Sequence, residues 1–122
     1  MTLSKWIWLF IGGGFGTWLR FWISGWGLFN AYRLPVATWT VNLVASLILG
    51  YFGMAYQKHP DQIWMYYFIM VGFCGSLSTF STFSAENLAI LNRAEFGMLA
   101  LYIIGSVISC LLAFRLGQLL YT

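Results

Sequence analysis

Apolar residues fall into four long runs, at about 3–28, 36–56, 63–92 and 96–120, and each meets or exceeds the roughly 20 residues that a helix needs to cross a bilayer. Short polar stretches separate them: a loop around Asn30 to Leu34, the turn Lys58-His59-Pro60-Asp61, and the step from Arg93 to Glu95. Pro35 suits the first turn of the second helix. The pattern predicts an all-α integral membrane protein with four transmembrane helices and one transmembrane domain over residues 1–122.

The third run is organised differently. Between Gly72 and Glu86 the apolar pattern gives way, and six of the nine residues from 76 to 84 carry hydroxyls. Hydrocarbon does not tolerate polar groups without partners, so such a tract at membrane depth is buried in protein or lines a wet or ion-holding cavity. Gly75, with Ser76 and Ser78 beside it, can release backbone carbonyls from the helical ladder. The expectation is a third helix broken near Gly75–Thr79, with carbonyls and half-helix ends available to ions. Beyond the break, Phe80 and Phe83 share one face, and Thr79, Thr82 and Glu86 lie on a neighbouring face at helical spacing. Glu86 sits near the end of the run, where reaching the interface explains it better than proton coupling.

The remaining polar positions each carry two readings. Arg20 stands among Trp18, Trp22 and Trp26. It is either an interfacial arginine snorkelling among belt tryptophans or a cation at the mouth of an anion path. Thr38, Asn42 and Ser46 form a stripe at fourfold spacing on the second helix, serving either as interhelical glue or as donors to a passing anion. Tyr102, Ser106 and Ser109 or Cys110 form a similar stripe on the fourth. Gly12 and Gly16 let two helix backbones approach closely. The glycine string around them is not a dinucleotide fingerprint, since position 17 is Thr and no strand precedes it.

Composition sharpens this picture. Hydrophobic residues make up 61% of the 122 and charged residues only 7%, too few to cover a surface in water. The net charge of +3 is scattered, so nothing points to nucleic acid. Cys74 and Cys110 both lie in apolar runs without Cys-x-x-Cys spacing, and His59 is the sole histidine, in a charged turn. Neither a disulfide nor a zinc site is expected, and no nucleophile–base set for an enzyme is present. Lys5 before an apolar run resembles a signal peptide start, but no small-residue cleavage site follows, so a retained first span is expected. Lys5, Lys58 and Arg115 lie towards one side of a four-span chain, and Arg20, Arg33 and Arg93 towards the other. Three against three gives no preferred orientation. Copies inserted both ways up can pair antiparallel, reproducing within a dimer what transporters build by inverted repeats.

The tract Gly72-Phe73-Cys74-Gly75 through Thr79-Phe80-Ser81-Thr82-Phe83-Ser84 and Glu86 closely resembles the signature of the Fluc (CrcB-type) fluoride channels. Gly12-Gly13 with Gly16 and Arg20, and Val41-Asn42 with Ser46 and Gly50, support the resemblance over essentially the whole chain. It implies a passive channel that exports cytoplasmic fluoride from a dual-topology antiparallel homodimer with two pores, multi-pass in the bacterial inner membrane. It implies a structural sodium ion held at the dimer centre by the backbone carbonyls of Gly75 and Ser78. Phe80 and Phe83 match the family's phenylalanine box, Asn42 its pore asparagine and Arg20 its vestibule arginine. Tyr102 and Ser106 match a polar track on the fourth helix, with Ser81 and Thr82 as further contributors. The chain departs from the pattern at Ser76 and Ser78, where Gly and Thr are commoner, at Ala45 for Gly, and at Cys110, where the track expects Ser and a thiol is the weaker donor.

These residues suit fluoride, which is small and strongly hydrated and must exchange water for donated hydrogen bonds in a narrow path. Asn42 and the hydroxyls can donate, and the positive ring edges of Phe80 and Phe83 can hold an anion weakly enough to release it. Two other classes fit four short spans. A small multidrug-type exporter resembles this layout but uses a membrane-embedded Glu in its first span, which this chain lacks. A non-transporting assembly subunit would use the Gly and Ser tracts only for helix contacts.

Overall fold

The computed structural model describes residues 2–26 and 34–122. Its helices are α1 (Leu3–Ser24), α2 (Val36–Lys58), α3, α4 (Phe80–Asn92) and α5 (Phe96–Tyr121). The third, α3, runs as a π-helix over Met65–Cys74 and closes with one α-turn, Gly75–Leu77. No strand occurs among the described residues. α3 and α4 together form the expected broken crossing, with the interruption at Ser78 and Thr79, at the C-terminal edge of the range the sequence pattern gives. A sharp turn at Arg93–Glu95 follows, in which Ala94 takes the left-handed conformation at φ 56.

Among the described residues, three stretches combine the length and hydropathy of a membrane crossing: Val36–Lys58, Met65–Asn92 and Phe96–Tyr121. α1 has the length, with 22 residues or about 33 Å of helix. Its Lys5, Arg20 and glycine run lower its hydropathy. It also ends at Ser24, short of the position 28 that its apolar run predicts. Leu28, Arg33 and most of the predicted first loop lie outside the described residues.

Glycine notches decide which helices meet. A Cβ at Gly12 would run into the Phe68 carbonyl oxygen, and one at Gly16 into that of Phe73. α1 therefore lies backbone to backbone on α3, as small residues four apart allow. α2 packs as extensively on α5 as α1 does on α3. Gly50 of α2 abuts the Phe114 backbone of α5, while Gly117 of α5 abuts the Leu47 carbonyl of α2. Higher on the same seam, the indole of Trp39 fills the space beside Gly105, where an added Cβ would lie 2.7 Å from the ring.

The core joins the two helix pairs beside the break. Val41, Ala45 and Leu77 are buried, with Leu19, Ile23 and Phe73 against them. Leu77 is the last residue of α3, so the tightest packing sits directly under the interruption. Large apolar side chains elsewhere mostly face outward, among them Phe10, Phe21, Leu111 and Leu112. An apolar exterior, with the few buried polar side chains kept inside, is the arrangement that lipid requires. At one end of the bundle, Lys5 lies 5.4 Å from the Tyr67 ring centre and Lys58 4.9 Å from that of Tyr121.

Candidate functional site: the helix break and its groove

The break is a local change of hydrogen-bond partner. Ser78 N–H still donates to the Cys74 carbonyl at 3.0 Å, and the Ser78 hydroxyl donates to the same oxygen at 3.0 Å. Ser78 (φ −74, ψ 153) and Thr79 (φ −148, ψ 119) are then extended. Thr79 N–H turns away from the helix axis and donates to Asn42 Oδ1 at 2.8 Å, while Asn42 Nδ2 donates to the Thr79 carbonyl at 3.4 Å. One side-chain amide thus pairs with both the N–H and the C=O of one residue, as a neighbouring strand would. Thr79 Oγ1 then caps α4, accepting from Thr82 N–H at 3.3 Å and donating to Thr82 Oγ1 at 3.0 Å. In a regular helix the N–H of residue 79 bonds the carbonyl of 75, and that of 82 bonds the carbonyl of 78. Here Asn42 and the Thr79 hydroxyl take those two donors.

A groove of about 270 Å³ opens beside the break, lined by Asn42, Ser46, Ser78, Thr79, Phe80, Phe83, Ser106, Val107 and Cys110. The Phe80 and Phe83 ring centres are 6.0 Å apart, and Phe83 lies 5.0 Å from the buried Tyr102 ring. Ser46 Oγ donates to the Asn42 carbonyl at 2.8 Å. Ser106 is 5% exposed, and its Oγ has no hydrogen-bond partner among the described residues. A buried hydroxyl without a partner is costly and uncommon, and this one sits at the groove wall.

The other predicted residues divide around this groove. Arg20 and Thr82 line a separate depression of about 320 Å³ with Thr17, Phe21, Ser24, Thr38 and Thr79. Thr79 is common to both hollows. Ser81 is exposed, 3.4 Å from Thr79 Oγ1, and lines neither. Cys110 lines the groove as a free, half-buried thiol. An added Cβ on Gly75 would meet nothing within 4 Å, so this face of the break is open. A larger hollow of about 590 Å³ along α1 is lined mainly by apolar groups, including Leu9, Phe10 and Trp18, and brings together no comparable set of donors.

Sequence reasoning missed three features. Thr79 does not share a helical face with Thr82 and Glu86, because it is extended and serves as the cap. Glu86 does not reach for the interface: its carboxylate accepts from the Thr38 hydroxyl at 2.6 Å and the Tyr102 hydroxyl at 2.7 Å. Trp39 carries no sequence signal of its own. Its indole N–H donates to Ser109 Oγ at 2.8 Å, and its ring meets Tyr102 edge-on at 6.0 Å.

An apolar helical bundle with a broken crossing, and with hydroxyls, an amide and phenyl rings gathered at the break, defines a helical membrane protein with a polar groove beside the break. Among the described residues, no group of three or more His, Cys, Asp or Glu could hold a metal. Residues 7–118 match the model of the family described as CrcB-like protein, Camphor Resistance (CrcB), and the chain belongs to that family. A protein of Acinetobacter baumannii called "Fluoride-specific ion channel FluC" is 44% identical over 108 residues, covering 83% of this chain and 84% of its own. Proteins of the same name from Thermococcus kodakarensis and Pyrococcus abyssi are 47% and 36% identical. The first covers 80% of each chain and the second 98%. These relatives are named as ion channels, a non-enzymatic function.

Proposed function

We propose that this protein is a passive, fluoride-selective channel that lets cytoplasmic fluoride leave across the plasma membrane. The observation that carries the proposal is the groove, where the partnerless Ser106 hydroxyl meets the Asn42 amide and the Phe80 and Phe83 rings. A dehydrating fluoride ion needs donors that are not already committed. Ser106 has one, and Asn42 Nδ2 has a second hydrogen beyond the one given to Thr79. The ring edges supply weak positive potential, and weak successive sites let the ion leave. Arg20, in the neighbouring hollow across Thr79, raises the local anion concentration at the entrance.

The functional unit in this reading is an antiparallel homodimer with two pores, its apolar outer faces shared between lipid and the partner copy. A structural sodium ion fits the break, because the Gly75 and Ser78 carbonyls lack their regular helical donors and Gly75 faces open space. Two such breaks, related by the dimer axis, would offer four carbonyl oxygens, the hard ligands that an alkali cation takes. When bound, the ion would add fixed positive charge and tie the two broken helices together. Expression of this chain in a cell stripped of its own fluoride export is expected to restore growth in fluoride. Full expression in the membrane without any restored growth would contradict the reading.

A further inference from the structure

We infer that Asn42 is a positioning residue for the cation site, holding the helix break open by taking the Thr79 N–H that a continuous helix would return to the Gly75 carbonyl. This rests on the reading of the Gly75 and Ser78 carbonyls as cation ligands. Three observations carry it. Ser78 N–H still follows the helical pattern to Cys74, so Thr79 is the first amide to leave it. That amide goes to Asn42 Oδ1 at 2.8 Å, and the same side chain returns a bond to the Thr79 carbonyl. This two-point pairing fixes Thr79 in an extended conformation from which its own hydroxyl can take the Thr82 N–H. A single residue on α2 therefore initiates both diversions that expose the carbonyls.

The arrangement also links two sites. Asn42 and Thr79 both line the groove, and Thr79 lines the Arg20 hollow as well. The Thr79 backbone clasped by Asn42 is shared between the anion path and the cation site, so each is expected to sense the other's occupancy.

The test measures thermal unfolding of the purified full-length dimer in sodium and in N-methylglucamine, beside fluoride flux. Wild type is expected to gain melting temperature with sodium. Asn42→Ala removes the clasp and is expected to raise the half-maximal sodium concentration by about tenfold or more. Asn42→Asp keeps the acceptor for Thr79 N–H while losing the amide donor. It is expected to lose flux and yet keep its sodium response, so that the weakened response of Asn42→Ala, which a pore-only role would not produce, is traced to the lost acceptor. Full sodium stabilisation in Asn42→Ala, or none in Asn42→Asp, overturns the inference, and the second readout stands even if the alanine variant fails to fold. A wild-type protein indifferent to sodium would overturn the cation reading itself, a different result from either.

Discussion

Phe80→Ile is expected to lower fluoride flux by about tenfold or more while leaving the melting temperature of the purified protein nearly unchanged. Phe80 is 80% exposed in the single chain, so it contributes little to the core. Among the described residues its ring packs against that of Phe83, with centres 6.0 Å apart. Isoleucine at that position is still bulky and apolar but has no ring, hence no positive edge to face an anion. Weakening one ion contact by about 1.4 kcal/mol already costs a factor of ten. Phe83 is the less clean target, because its ring also packs on Tyr102 and its loss would disturb α5. Flux measured with a fluoride electrode alongside a melting curve separates loss of function from loss of fold. Normal flux in Phe80→Ile would remove this ring from the mechanism.

Orientation provides the second large effect. A cysteine placed at His59, in the exposed turn after α2, is expected to react with impermeant reagents from both sides of the membrane in roughly equal amounts. Lys5 and Lys58 lie at one end of the bundle, over Tyr67 and Tyr121. Arg115, late in α5, belongs to that end, and Arg93, in the turn after α4, belongs to the other. Arg20 sits near the C-terminal end of α1, and Arg33 lies outside the described residues. With Arg33 counted where the sequence pattern puts it, three basic residues towards each side would favour neither orientation, which is why labelling from both sides is expected. The same balance makes orientation easy to bias. Adding Thr2→Lys and Ser4→Lys should drive labelling of His59→Cys to one side and abolish flux, since antiparallel partners would then be scarce. One-sided labelling without the added lysines would contradict the antiparallel dimer.

The sequence made some of this legible for identifiable reasons. Hydroxyls and glycines in the middle of an apolar run have few uses in hydrocarbon, so Gly72–Glu86 located the break to within the residues where it falls. Helical spacing set Asn42 and Ser106 in polar stripes and Phe80 with Phe83 on one face, the family resemblance grouped them, and the paired helices bring all four to one groove. What stayed hidden depends on helix rotation and on contacts remote in sequence. Asn42 could be read as glue or as donor, and its pairing across 37 residues to Thr79 makes it glue with a hydrogen to spare. The capture of Glu86 by Thr38 and Tyr102 has the same origin. Trp39 fits only because Gly105 lies opposite it, and neither residue announces the other. α1 shows the limit of hydropathy itself: its Gly12 and Gly16 face α3, and backbone contact replaces the apolar side chains that a lone span would need.

The most direct test of the central claim is ion efflux from liposomes carrying the purified protein, with fluoride and chloride measured in parallel. The groove at the break, with donors suited to a small dehydrated anion, predicts rapid fluoride release and retained chloride. Absence of fluoride release from a verified, folded dimer, or equal release of both ions, would contradict it.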